Sequence, residues 1–135
     1  MLKFNVLILG SASASPTLNR NPTSQLVNLN EQYYLIDCGE GTQSTLRKHK
    51  IKFQRLHHIF ISHLHGDHYL GLIGLLQTMN LLGRTIELHV YGPPELKEII
   101  DLNLKYSHST LRYPLIYHST HTKQPEVIYE NDQFC

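Results

Sequence analysis

The chain has few cysteines, no long apolar run and no excess of charge of one sign. Its two cysteines, Cys38 and Cys135, could pair, but they do not make the disulfide framework of a small secreted protein. A formal net charge of +1 gives no overall basic footprint. The apolar runs are too short to cross a bilayer, and the first residues do not resemble a signal peptide. We therefore expect a soluble cytoplasmic protein that has no membrane partner.

Histidine, in contrast, is abundant, with ten residues in the 135-residue chain. Residues 63–68 read His-Leu-His-Gly-Asp-His and directly follow an apolar run. Imidazole and carboxylate groups are ligands that zinc accepts, with manganese or iron as alternatives. A solvated histidine-rich loop is the other interpretation, but four such groups in so short a segment favour metal.

The spacing within this segment predicts two ion positions. Histidines two residues apart in an extended segment point to the same side, so His63 and His65 can hold one ion. A turn at Gly66 would direct Asp67 and His68 to a second ion, roughly 3.5–4 Å from the first. This arrangement is typical of a hydrolytic centre.

Local patterns predict a single α/β domain. The first expected helix begins at Thr42, with this residue as the N-cap, and extends to about residue 49. The second covers 69–82, and the third begins at Pro93-Pro94. A polar loop is expected over 11–24. The expected strands cover residues 2–9, 26–29, 33–36, 56–62, 85–91, 115–117 and 127–129. Because strands come first in pairs and then alternate with helices, we expect a mixed sheet with helices on one face.

Four segments of the chain resemble ribonuclease Z, the metallo-β-lactamase-fold endonuclease that matures tRNA 3′ ends. They are a glycine loop with Pro-Thr-Leu-Asn-Arg-Asn (9–21), Asp-Cys-Gly-Glu-Gly-Thr-Gln (37–43), the metal motif with the helix after it (61–72), and Tyr-Gly-Pro-Pro (91–94). The metal motif alone indicates only the superfamily, which also contains lactamases, thioesterases and phosphodiesterases. The first two segments narrow the resemblance to ribonuclease Z. Ala14 departs from the glycine that the family often has there.

The resemblance implies a fold and a metal centre. The fold is the αββα sandwich, of which residues 1–135 would supply about the amino-terminal half, and we expect the chain to be truncated. Two zinc ions are implied, held by His63, His65, Asp67 and His68, with manganese or iron as alternatives. Two further histidines and a bridging aspartate would lie downstream. A single half should expose an apolar face that invites dimerisation.

The resemblance also implies a function, namely zinc-dependent endonucleolytic removal of the 3′ trailer from precursor tRNA. A hydroxide bound by the two zinc ions would attack the phosphodiester, and Asp67 would accept its proton. Arg20, Asn21 and Thr42 would contact the RNA. The alternatives are another hydrolase of this fold, such as a phosphodiesterase or thioesterase, and a non-catalytic metal-binding half-domain.

A basic run lies outside these motifs. It consists of Arg47, Lys48, Lys50, Lys52 and Arg55. Such a run is usually a solvated face, and contact with tRNA is the second interpretation.

Overall fold

A computed structural model describes residues 1–121 and 123–133 as one mixed sheet with four helices. The strands are β1 (Phe4–Gly10), β2 (Ser24–Leu29), β3 (Gln32–Ile36), β4 (Leu56–Phe60), β5 (Leu88–Gly92) and β6 (Leu115–Ser119). The helices are α1 (Thr42–Lys48), α2 (Gly66–Tyr69), α3 (Leu72–Leu81) and α4 (Glu95–Tyr106). A short 3-10 turn at Phe53–Arg55 precedes β4. The described part of the chain has no helix of the length and apolarity that crossing a membrane requires.

The sheet follows the order of the chain, β1-β2-β3-β4-β5-β6. The first two pairs are antiparallel and the last three are parallel. A two-residue turn joins β2 to β3, and both Asn30 (φ 50°) and Glu31 (φ 67°) have the positive φ that matches the twist of a hairpin. Helices connect the parallel strands, so the predicted mixed sheet is confirmed.

All the longer helices cover the same face of the sheet. Leu35, Ile59 and Val90, from three adjacent strands, form one buried cluster with side chains of α1, α3 and α4. On β1 the side chains of Phe4, Val6 and Ile8 alternate with those that face the core, and 61%, 49% and 57% of their surface is exposed. The prediction of helices on one face is confirmed, and the opposite face is apolar and open along β1.

The segment around Tyr129 lies on this second face, next to the central strands. The predicted strand over 127–129 is wrong, because these residues pair with no strand. Tyr129 instead packs against His58, with 4.4 Å between ring centroids, and lies 3.4 Å from the hydroxyl of Tyr34. Side-chain packing rather than a backbone ladder holds this segment.

Two of the predicted helices also differ from those in the structure. Thr42 is the first helical residue and not the N-cap, because Gly41 at φ 84° occupies that position. The predicted helix over 69–82 is interrupted between α2 and α3. Gly71 there donates its amide to the Cys38 carbonyl, and a Cβ on it would lie 2.1 Å from the Gly39 carbonyl oxygen.

The predicted possibility of a Cys38–Cys135 pair is not tested. The Cys38 thiol is buried and free, and Cys135 lies outside the described residues.

Arg84 is fully buried and joins two backbone segments, residues 86–87 and the turn at Phe53. Its guanidinium donates to the carbonyls of Ile86 (2.9 Å), Glu87 (2.7 Å) and Phe53 (3.3 Å), and it lies 5.6 Å from the Tyr113 ring. These acceptors satisfy the cation without a carboxylate. We therefore expect the arginine to fix the turn before β4 relative to the start of β5.

We expect Arg84→Met to lower the free energy of unfolding by about 2–4 kcal/mol, because it leaves one buried and two partly buried carbonyls without a donor. Urea denaturation of the chain measures this loss. Arg112→Met, at an exposed position, is the matched control and should change stability by less than about 0.5 kcal/mol. Equal stability of the two variants would contradict the assigned role.

His58 makes stability depend on pH. Burial, and then the neighbouring His89, lower the pKa of His58 from 6.5 to about 4. Between these values the unfolded chain binds a proton that the folded chain does not, so stability falls as pH falls from about 6.5 to 4. We expect His58→Phe, which keeps an aromatic ring, to reduce the loss between pH 7 and 5 by on the order of 1 kcal/mol after solvent screening. Urea denaturation at both pH values, with His121→Phe as control, tests this, and an unchanged slope would contradict it.

Candidate metal centre

The histidine loop lies at the carboxyl ends of the parallel strands. His63 and His65 lie between β4 and α2, whereas Asp67 and His68 belong to the first turn of α2. Ile61 donates its amide to the Tyr91 carbonyl on β5, and Asp37, directly after β3, donates its amide to the Phe60 carbonyl. The ends of three strands thus hold the loop in place.

The four predicted ligands form two pairs of donor atoms. His63 Nε2 lies 3.1 Å from His65 Nδ1, and His68 Nε2 lies 3.5 Å from Asp67 Oδ2. Two ligands of a tetrahedral zinc ion with Zn–N of about 2.0 Å lie roughly 3.3 Å apart, so both separations suit a shared ion. The rings of His63 and His68 have centroids 3.9 Å apart, which brings the two pairs together.

The buried carboxylate of Asp37 contacts this loop on its core side and orients it. This carboxylate accepts hydrogen bonds from the Ser62 amide (2.8 Å) and the Ser62 hydroxyl (3.0 Å), and it lies 2.6 Å from His68 Nδ1. The Ser62 hydroxyl also lies 3.0 Å from His63 Nδ1. Because Nδ1 of both His63 and His68 is engaged, Nε2 is the nitrogen left to bind a metal. A histidine ligand usually donates its other ring nitrogen to a carboxylate or another acceptor, as His68 is placed to do with Asp37.

Asp67 is held by the glycine-loop segment of the chain. Its Oδ2 accepts the Ala14 amide at 3.0 Å. This hydrogen bond, more than the neighbouring histidines, lowers the pKa of Asp67 below its ordinary value. Ala14 has φ 61°, the left-handed conformation that glycine adopts more easily. The carboxylate is therefore charged at neutral pH, as a metal ligand or a proton acceptor must be.

The four donor groups are of the types that bind a divalent ion, but they are too few to complete its coordination. Among residues 1–121 and 123–133, no three His, Cys, Asp or Glu side chains are grouped to hold one ion. Each pair supplies two ligands of the right type at a suitable spacing. A closed coordination shell needs at least one further donor for each ion.

Arg20 and Asn21 lie in the same polar loop as Ala14. Arg20 is exposed, and it lines a cavity of about 450 Å³ together with Asn21, Thr45 and Lys48. The side-chain amide of Asn21 donates a hydrogen bond to the Thr45 hydroxyl at 2.9 Å, which ties the loop to α1. Their predicted contact with RNA stays a prediction.

Thr42 is placed differently from its predicted role. Only 1% of its surface is exposed, and both its amide and its hydroxyl donate to the Gly39 carbonyl. Both groups are thereby engaged within the chain. The observed role of Thr42 is to hold the turn before α1, and its contact with substrate stays a prediction.

Sequence reasoning did not assign a role in the site to Asp37 or Ser62. The signal for Asp37 was present, because a carboxylate directly follows a buried strand and lies in the Asp-Cys-Gly-Glu motif. Its partners are 25 and 31 residues away, however, so spacing along the chain does not connect them.

Comparisons with known proteins find similar sequences and similar structures for most of the chain. The family model described as Anti-Pycsar protein Apyc1 matches residues 4–125. The Ribonuclease Z of Bacteroides fragilis is 52% identical over 131 residues, which are 97% of this chain and 43% of that protein. The chain spans about two fifths of the length of the curated relatives it matches.

Solved structures agree with the fold. Human tRNase Z, short form (ELAC1), matches with a TM-score of 0.79 at 36% identity over 88% of this chain and 45% of that one. The metallo-beta-lactamase fold protein YhfI from Bacillus subtilis matches with a TM-score of 0.65 at 21% identity, over 90% and 48%. The predicted fold is confirmed, and the chain corresponds to about half of each neighbour.

The predicted resemblance to ribonuclease Z is confirmed by these relatives. Because the family model matches most of the chain, the chain belongs to the family described as Anti-Pycsar protein Apyc1, within the metallo-β-lactamase fold.

Proposed function

We propose that this chain is the metal-binding part of an endoribonuclease that removes the 3′ trailer from precursor tRNA. The observation that carries the proposal is the pairing of His63 with His65 and of Asp67 with His68 around one loop. The ribonuclease Z name of the curated relatives and the tRNase Z name of the structural neighbour support the substrate. The proposed location is the cytoplasm, and the open apolar face supports a homodimer as the proposed assembly.

Zinc is the proposed metal, two ions for each site, with manganese or iron as alternatives. When bound, such ions lower the pKa of water and neutralise charge on phosphoryl oxygens. We propose that the remaining donors come from the part of the relatives that this chain does not span. The 135-residue chain alone is then a metal-binding unit without turnover, because each donor pair lacks a third ligand.

The chain's own groups have separate roles in this proposal. Asp37 fixes the tautomer and direction of His68, so that Nε2 faces the site. Asp67, charged and held by the Ala14 amide, accepts the proton of the attacking water. Arg20 and Asn21 lie on the loop that also carries Ala14, where an exposed guanidinium and an amide suit the phosphates of an RNA end.

The main alternative is hydrolysis of a small phosphodiester or a thioester by the same centre. The donor pairs alone do not separate these substrates, because they belong to the superfamily as a whole. The Pro-Thr-Leu-Asn-Arg-Asn loop favours RNA, since it adds a cation and an amide to the loop whose Ala14 amide contacts Asp67. Turnover of precursor tRNA and of a small phosphodiester by the same preparation distinguishes the two.

We expect the chain to bind zinc weakly, and Asp37→Asn to weaken that binding by about 10- to 100-fold, because His68 loses its carboxylate partner. Native mass spectrometry of the chain during zinc titration measures both affinities and the oligomeric state. Asp101→Asn, at an exposed position on α4, is the matched control. Unchanged zinc affinity in a folded Asp37→Asn variant would contradict the role of Asp37.

The reaction is tested in a chimera in which this chain replaces the matching 131 residues of the Bacteroides fragilis relative. We expect the chimera to cleave precursor tRNA, and Asp67→Ala to reduce cleavage by at least about a thousandfold while RNA binding persists. Asp101→Ala is the control and should cleave normally. Turnover retained by Asp67→Ala would overturn the role of Asp67. A folded chimera with no activity on RNA would overturn the proposed function.

A further inference from the structure

The positive charge of this chain is concentrated in one segment. Residues 41–66 contain five lysines and arginines and no aspartate or glutamate. The rest of the chain carries the other seven basic residues against all eleven acidic ones, so the near-zero net charge hides a strong asymmetry. A local excess of this kind attracts polyanions even when the whole protein is nearly neutral.

The structure gathers these charges around one cavity. Arg47, Lys50 and Lys52 are exposed and line an open cavity of about 540 Å³. Arg55 also lines it but pairs with Glu31 at 2.6 Å. Over the described residues, Arg47, Lys48, Lys50 and Lys52 form no ion pair with a carboxylate. Four cations are thus free to meet an external anion.

The backbone that carries these cations is fixed. Lys50 has φ 57° and donates its amide to the Arg47 carbonyl, which closes the turn after α1. Phe53 is buried, and its carbonyl accepts a hydrogen bond from the guanidinium of Arg84. The cations therefore project from a rigid base, which reduces the entropy lost on binding.

A second cavity lies between the polar loop and α1, and its Lys48 is the sequence neighbour of Arg47, which lines the first cavity. It is lined by Arg20 and Lys48, and the bond from Asn21 to Thr45 joins its two walls. We define the basic track as Arg20, Arg47, Lys48, Lys50 and Lys52. It begins on the loop whose Ala14 amide contacts Asp67 and ends at the start of β4. Five residues of β4 separate the far cavity from the metal loop, about 15–20 Å along the strand.

We propose that the basic track binds the sugar–phosphate backbone of an RNA, at nucleotides remote from those at the histidine loop. The inference rests on the proposed function, since it gives the RNA body a separate binding surface. A track of fixed cations at this distance positions a substrate without reading its bases. An anionic membrane is the competing occupant, because the exposed Leu82 lines the same cavity as the cations, and the test therefore includes it.

The test uses the 135-residue chain and a fluorescein-labelled RNA hairpin with a stem of about twelve base pairs and a single-stranded 3′ tail. Fluorescence anisotropy between about 50 and 200 mM salt gives the Kd and its salt slope. We expect Arg47→Gln/Lys50→Gln/Lys52→Gln to raise the Kd at least about tenfold and to reduce the slope by about two to three. The control is Lys3→Gln/Lys105→Gln/Lys123→Gln, which removes the same charge elsewhere and should change the Kd less than about twofold.

Equal weakening of both triple variants, or no RNA binding by the parent chain, would overturn the proposal. Binding to vesicles of phosphatidylserine without binding to the hairpin would also overturn it. Circular dichroism confirms that the exposed substitutions leave the fold intact. If the track binds RNA and the chimera fails to cleave, only the proposed function is wrong; if the chimera cleaves and the track variant binds normally, only this inference is wrong.

Discussion

The carboxylate of Asp37 is the interaction on which the candidate site depends. It is buried at the end of β3 and receives hydrogen bonds from the backbone and side chain of Ser62, and it faces Nδ1 of His68. One charged group thus joins the ends of two strands to the first turn of α2. Removal of one partner of a buried, hydrogen-bonded charge is costly, because the remaining groups lose their solvation without compensation. The geometry of the loop is therefore a property of the sheet edge, and the six residues of the motif do not set it alone.

Much of the fold could be predicted because its elements carry simple periodic patterns. The alternation that leads into β5 and the helical spacing in α3 and α4 depend on burial of one face, which sequence records directly. The break between α2 and α3 could not be found in this way, because it depends on the close approach of Gly71 to the Gly39 carbonyl. The segment around Tyr129 has strand-like residues, yet aromatic packing against His58 replaces a ladder there. Both differences come from tertiary contacts between distant parts of the chain.

The candidate site likewise has residues that the sequence predicts and residues that only the folded structure brings in. Residue types and spacing predict the histidines and Asp67 as ligands, because few other arrangements account for so many ligand groups in one loop. The supporting partners, Asp37 and Ser62, and the anchoring amide of Ala14 depend on distances across the fold. Thr42 shows the opposite case, since a motif residue that suggested contact with substrate uses both its amide and its hydroxyl inside the turn. The ligand types are therefore local information, and their orientation is not.

The order of the strands has a consequence for how this protein forms. Each strand pairs with the one that precedes it in the chain, so the sheet grows at a single edge from β1 to β6. During synthesis every new strand finds its template already emerged from the ribosome, and no strand has to wait for a later one to be inserted beside it. Among the described strands, β2 and β3 pair at the shortest separation, 3 to 11 residues, so closing the loop between them costs the least entropy. The histidine loop follows the fourth strand, so Asp37, directly after the third, is in place before the proposed ligand side chains are made.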